Sequence, residues 1–329
     1  MRGLVIKSTG SSYIVRMDDG SDAECHIKGN FRIRGIRSTN PVAVGDYVTV
    51  ESQKSKECPS DSKTLSTISP QRDAAFWITD VEERRNYIIR KSTNLSKESH
   101  IIAANIDQVA LIVTVNHPVT STTFIDRFLA TCEAYRVRAI LIFNKTDLLT
   151  EDELAQLDEL RTLYESIGYP TMAISAMKLT ASDFEQSGLS TMLQSKTTLL
   201  SGNSGVGKST LLNALFGREM TRTGKISDAH DKGMHTTTFS EMYFLPDGGA
   251  VIDTPGIKGF GSIDFEREEV SHYFRDIFAV SHDCRFGNCT HTNEPGCAVQ
   301  EALIKGSIAI SRYESYLSLL GDCTESKYR

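Results

Sequence analysis

A chain of 329 residues with 40% hydrophobic side chains is long enough for two or three domains with sizeable cores, and its seven cysteines, an odd number, do not read as a disulfide framework. No run of about 18 apolar residues occurs, which argues against a spanning helix, and the opening MRGLVIKSTG lacks a secretory leader's apolar stretch, so a cytoplasmic protein with no membrane partner is expected. The net charge of −6 does not suggest nucleic acid, yet it is unevenly spread: residues 1–72 carry 11 Lys/Arg against 8 Asp/Glu, residues 73–270 carry 19 against 27, and residues 271–329 carry 6 against 7.

The first stretch reads as short strands. GLVIKS and SSYIVRM flank Thr9-Gly10, Asp19-Gly20 marks a second turn, and CHIKG, VGDYVTV and TLSTIS follow with no helical pattern between them. Five such strands suit a small Greek-key barrel, either an OB-fold or an SH3-like or other small barrel. Within it, HIKGNFRIRGIR (26–37) holds Lys28, Arg32, Arg34, Arg37 and Phe31 and no acid. On a barrel loop these residues can grip an RNA backbone and stack a base; on a strand they are simply a solvated face.

From about residue 105 apolar runs alternate with helical stretches. VALIVTV (109–115), AILIF (139–143), MAIS (172–175) and TLLSG (198–202) read as buried strands, and 125–137, 151–168 and 208–217 as helices. That alternation predicts an α/β domain on a largely parallel sheet.

Asn144-Lys145-Thr146-Asp147 follows the second of these strands and matches NKxD. A carboxylate at Asp147 accepts both N1–H and the N2 amine of guanine, a donor pair adenine lacks; Asn144 can tie the loop to the phosphate loop, and the stem of Lys145 can cover the base. Ser175-Ala176 ends the next strand, where a backbone N–H can meet guanine O6. Gly202-Asn203-Ser204-Gly205-Val206-Gly207-Lys208-Ser209 matches GxxxxGK[ST], with Thr210 next. Its glycines let backbone N–H groups curl around phosphate, Lys208 reaches the β/γ-phosphates, and Ser209 offers its hydroxyl to Mg²⁺. GTP or GDP with Mg²⁺ is the ligand these motifs imply.

A Thr-rich segment, Lys232 to Phe239, follows. One of its threonines can complete the Mg²⁺ shell, Thr237 being favoured narrowly over Thr236. Asp253-Thr254-Pro255-Gly256 then closes a short apolar strand; the Asp can hold Mg²⁺ through water and the Gly256 N–H can sense the γ-phosphate. The next residue is Ile257, where Ras-like GTPases place a water-orienting Gln, so unaided hydrolysis is expected to be slow. His235 is the nearest polar candidate to position water, or is a surface residue of the switch. Lys208, Thr237 and His235 are the candidate catalytic set. Last, Cys284, Cys289, His291 and Cys297, spaced C-x4-C-x-H-x5-C, make a closed set for one structural Zn²⁺.

The NKTD and SA motifs, last in ordinary GTPases, here precede the phosphate loop while the switches still follow it, which is a circular permutation. With the barrel, ANIDQV (104–109), NKTDLL, GNSGVGKS, HTTT, DTPG and the Cys/His cluster, the chain resembles the RsgA family of bacterial small-ribosomal-subunit biogenesis GTPases over nearly its whole length. The resemblance implies an OB-fold barrel (1–72), a circularly permuted P-loop GTPase domain of α/β class (73–270) and a mainly helical zinc-binding domain (271–329). It further implies a role in late maturation of the small ribosomal subunit, with that subunit and its rRNA as partners, hydrolysis stimulated by it, and a monomeric protein. Met234 stands where members of that family often carry Arg, which puts a basic contact there in doubt.

Overall fold

The computed structural model describes residues 1–9, 12–27, 41–54, 74–91, 99–179, 188–217, 240–246, 248–254 and 265–325. It divides into two compact units, Met1–Asn105 with Thr238–Tyr243, and Ile106–Thr237 with Phe244–Arg329.

In the first unit, β1 (Arg2–Ser8), β2 (Tyr13–Met17), β3 (Asp22–Ile27), β4 (Tyr47–Lys54) and β5 (Ala74–Val81) form a barrel. The order β1-β2-β3-β5-β4 closes through β4 back onto β1, and β3 and β5 are the parallel pair. Closure leaves no open edge, and the chain's five-stranded N-terminal barrel is of the OB type. Alternation selects the core: Val5, Val15, Cys25, Val48, Val50 and Ile78 are fully buried. The expected strand TLSTIS lies outside the described residues; β5, the fifth barrel strand, begins at Ala74. Beyond it β6 (Tyr87–Lys91) and β7 (Ser99–Ala104) form an antiparallel hairpin. Arg84 is clamped by both oxygens of buried Asp46, each contact 2.6 Å long. Glu241 of β12 (Glu241–Phe244) pairs with Lys7 in register and by an ion pair of 2.9 Å.

In the second unit, β8 (Gln108–Val113), β9 (Arg138–Phe143), β10 (Thr171–Ala173), β11 (Thr197–Ser201) and β13 (Ala250–Asp253) lie parallel in the order β10-β9-β8-β11-β13. Every residue of β8 is buried, as a strand covered on both faces requires. Each such Val, Leu or Ile contributes about 1.5–3 kcal/mol of burial. The expected helices are present with shifted ends. Helix α1 runs Thr122–Ala134, one turn earlier than the apolar pattern, because Ser121 caps it by accepting from Phe124 N. Helix α2 (Glu151–Ser166) starts in a capping box of Thr150 and Glu153. Helix α3 (Leu189–Leu193) is short, and α4 (Lys208–Phe216) ends on Gly217 in the left-handed region. The C-terminal part holds α5 (Arg275–Ser281), α6 (Ala298–Ile304) and α7 (Ile310–Glu325), packed around Phe274, Ile277, Val299, Ile308 and Tyr316.

Candidate nucleotide site and Cys/His cluster

The phosphate loop leaves the C-terminal end of β11, an interior strand paired on both sides, and runs into α4. Its glycines adopt backbone angles that side chains resist: φ is 146° at Gly202, 83° at Gly205 and 96° at Gly207. A Cβ on Gly202 would lie 2.4 Å from Ile112 O, and one on Gly207 would lie 2.4 Å from Asn144 Nδ2. The loop therefore curls where only glycine fits. Val206 is buried beneath it. Lys208 Nζ donates to Gly202 O at 2.5 Å and Asn203 O at 2.7 Å, which aims the ammonium along the loop. Burial lowers the Lys208 pKa, opposed by the nearby Asp253 carboxylate. Ser204 and Gly205 are exposed at the loop's tip, while Ser209 and Thr210 open α4.

Residues read from a distant part of the chain complete this cradle. Asn144, only 2% exposed at the end of β9, donates from Nδ2 to Val206 O at 2.9 Å and accepts Ala176 N on Oδ1 at 2.9 Å. One amide thus joins the NKTD loop, the phosphate loop and the Ser-Ala turn. Lys145 sits at φ 64°, and its Nζ reaches His117 O at 2.5 Å. Ser175 Oγ donates to Asp147 Oδ1 at 2.6 Å, fixing the plane of that carboxylate. Asp253 and Thr254, both buried, end β13 beside β11. Oxygen donors at Ser209 and Asp253 suit a hard Mg²⁺ ion. His235, Thr236, Thr237, Ile257 and Gly256 lie outside the described residues, as do Cys58 and Lys28, Phe31, Arg32, Arg34 and Arg37 of the basic stretch.

One contributor carried no motif. The loop after β8, residues 114–120, is laced by Thr114 Oγ1 to Pro118 O at 2.5 Å and Thr120 N to Thr114 O at 3.0 Å. It receives Lys145, and Asn116 Nδ2 donates to Glu153 Oε1 at 2.5 Å. Asn116 and Pro118, turn formers directly after a strand, were the available signal.

Cys284, Cys289, His291 and Cys297 converge between α5 and α6, their ligand atoms all within 4.8 Å of one another. His291 Nδ1 lies 3.6 Å from both Cys284 Sγ and Cys297 Sγ. Tetrahedral zinc with metal–ligand distances of about 2.0–2.3 Å needs ligand spacings of this order. Burial raises the Cys289 thiol to about 12 and lowers the His291 imidazole. Glu294 clamps the turn by accepting from Thr290 N at 2.8 Å, Thr290 Oγ1 at 2.6 Å and Thr292 N at 2.9 Å. Burial alone would raise its carboxyl, yet these bonds bring it down to about 2. From α7, Tyr313 OH donates to His291 O at 2.6 Å and Tyr316 OH to Thr290 O at 2.7 Å. Among the described residues no helix is long and apolar enough to cross a membrane.

Comparison with known proteins adds an independent line. Residues 81–263 match the family described as RsgA GTPase, and residues 2–58 match the RsgA N-terminal domain. The small ribosomal subunit biogenesis GTPase RsgA of Phocaeicola vulgatus is 56% identical over 329 residues, covering 100% of this chain and 99% of the relative. That of Porphyromonas gingivalis is 54% identical over 332 residues, with 100% and 99% coverage. Among solved structures, YjeQ from Thermotoga maritima is 31% identical with a TM-score of 0.72, covering 98% of each chain. YloQ, described as a circularly permuted GTPase, is 29% identical with a TM-score of 0.69, covering 100% of this chain and 96% of its own.

Proposed function

Because this chain belongs to the RsgA GTPase family, we propose that it binds the small ribosomal subunit, acts late in that subunit's maturation, and hydrolyses GTP to GDP and phosphate under the subunit's stimulation. The observation that carries the GTPase reading is Asn144: a single buried amide bonds Val206 and Ala176, so base reader and phosphate cradle form one construction although the chain writes them in reverse order. The subunit as partner rests on the names of relatives that span the whole chain.

In this reading Asp147, oriented by Ser175, accepts the N1 and N2 protons of guanine, and the Ala176 region meets O6. Backbone N–H groups of Gly202 through Gly207 cradle the phosphates, and Lys208 neutralises the β/γ-oxygens. Ser209, Asp253 and Thr237 would hold Mg²⁺, whose charge stabilises the phosphoryl oxygens. Phosphoryl transfer of this kind is mostly positioning and electrostatics, so the attacking water must be oriented. Ile257 can neither donate nor accept, which leaves His235 to orient it once the partner orders the Thr-rich switch. The Cys3His set would bind one structural Zn²⁺, and a closed set leaves no position for substrate. The basic stretch 26–37 would contact rRNA, and the protein acts as a monomer.

Single-turnover GTP hydrolysis with and without small ribosomal subunits tests this. The free protein is expected to turn over at roughly 10⁻⁴ to 10⁻² per second, and the subunit to accelerate it. His235→Ala should keep GTP affinity but lose about 10²-fold or more of the stimulated rate. No acceleration by subunits would overturn the ribosomal reading; full stimulation of the His235 variant would assign water positioning elsewhere.

A further inference from the structure

A buried ionic cluster whose residues belong to no motif links the C-terminal helix to the guanine loop. Arg312 of α7 is 1% exposed. Its guanidinium donates to Asp126 Oδ1 of α1 at 2.8 Å and, through Nε and NH2, to both oxygens of Asp276 on α5 at 3.1 and 2.7 Å. The face of Phe274 lies 4.8 Å from its central carbon. Asp126, fully buried, also accepts Tyr164 OH of α2 at 3.0 Å. Burial works against the guanidinium charge, but the two carboxylates hold it protonated. Such a cluster is weak evidence for stability, because the ions must leave water. What it does impose is geometry. A planar fork fixed on two edges has one orientation, and α7 cannot slide along α1 without stranding a buried charge.

The contacts continue to the base reader. Asp126 lies in the second turn of α1, immediately after loop 114–120. That loop receives Lys145 Nζ at His117 O, and its Asn116 bonds Glu153, which caps α2. Tyr164 returns α2 to Asp126. Both helices that frame the NKTD loop are therefore pinned at one carboxylate, and that carboxylate is pinned by Arg312.

We infer that Arg312 is a positioning residue for guanine recognition: by locking α7 onto Asp126 and Asp276 it sets the placement of α1, α2 and loop 114–120, and through Lys145 the placement of Asp147. The inference rests on the guanine reading of Asp147 above. It assigns α7 a part in nucleotide selection, not only in bracing the Cys/His cluster through Tyr313 and Tyr316.

The readout is the ratio of GTP to ITP affinity. ITP lacks the N2 amine and shares every phosphate contact, so the ratio reports Asp147 alone. A charge-assisted hydrogen bond of this kind separates the two ligands by roughly 10- to 100-fold in the parent. Arg312→Met keeps length and removes the fork. The ratio is expected to fall at least about 5-fold, the scale of coupling between sites, while zinc content and the fraction of active protein stay at parental values. A merely structural role would lower the active fraction and leave the ratio alone. A folded Arg312→Met protein with the parental ratio overturns the proposal. If that variant does not fold, Asp276→Asn decides, since it keeps the shape and the Asp126 pair: a lowered ratio supports the proposal and an unchanged one overturns it. A parent that binds ITP as tightly as GTP overturns the guanine reading, and this proposal with it.

Discussion

The candidate nucleotide cradle and the Cys/His cluster bring their polar groups together in opposite ways. The cradle is built of backbone, on strands whose residues Val109 to Val113 and Leu199 are fully buried, and its side chains act mainly as struts between loops. The cluster is built of side chains on residues 282–297, which hold neither helix nor strand. Hydrophobic burial shapes the first. The second has Glu294, Tyr313 and Tyr316 to shape its turns, and a zinc ion bound as proposed would supply the rest of its order, such binding contributing on the order of 10–16 kcal/mol in structural sites. A preformed site is sensitive to backbone changes, an ion-organised site to the loss of one ligand.

The strongest way to break this contrast is Gly207→Ala. The methyl would meet Asn144 Nδ2 at 2.4 Å from a residue at φ 96°. Backbone strain of about 1–3 kcal/mol adds to a lost strut worth a further ~1–3 kcal/mol. GTP affinity should fall about 10²-fold or more, with zinc stoichiometry unchanged; titration with a fluorescent nucleotide reads it, and parental affinity would refute a backbone-built cradle. Cys289→Ala is the reciprocal test. Zinc should be lost, and amide exchange in residues 283–300 should rise by about 10²-fold as that segment opens locally. GTP affinity should move less than about threefold, because α7 remains docked through Arg312. Matching exchange increases in β8, β9 or β11 would show one cooperative body instead of two regimes. The smallest effect concerns protons. Burial raises the Cys289 and Cys297 thiols and lowers His291, so without metal these two sulfurs keep their protons and the imidazole is neutral at pH 7. Zinc uptake should release about two or more protons per ion, and none from His291. Calorimetry in buffers of different ionisation enthalpy measures this, and uptake without proton release would contradict it.

The same contrast explains what the sequence disclosed. Motifs whose chemistry is local were legible: GNSGVGKS and the Cys/His spacing each point to a ligand class within a few residues, NKTD and Ser-Ala do so only together with the phosphate loop, and the buried strands announced the sheet. Helix α1 began a turn earlier than its apolar pattern because Ser121, not an apolar residue, sets the start. Long-range polar contacts were not legible. Arg312 sits in SRYESY, which reads as an ordinary amphipathic stretch, and nothing near it points to Asp126, 186 residues earlier. Asn144 was foreseeable as a link only because its motif has a known partner; Asn116 and His117 have none.

The order of the central strands also governs how the chain comes into being. β11, which carries the phosphate loop, lies between β8 and β13, pairing Leu200 with Ala110 on one side and with Asp253 on the other. A ribosome delivers β8, β9 and β10 with the guanine reader first. The strand that must pair beside β8 arrives only later, and the strand beyond it later still. At about 5–20 residues per second, several seconds separate Asp147 from Lys208 and a few more separate Lys208 from Asp253. During that interval the nascent sheet exposes the long apolar edge of β8 and has a base reader with no phosphate cradle. Nucleotide can stabilise the young protein only once Asp253, about three quarters of the way along the chain, has been made.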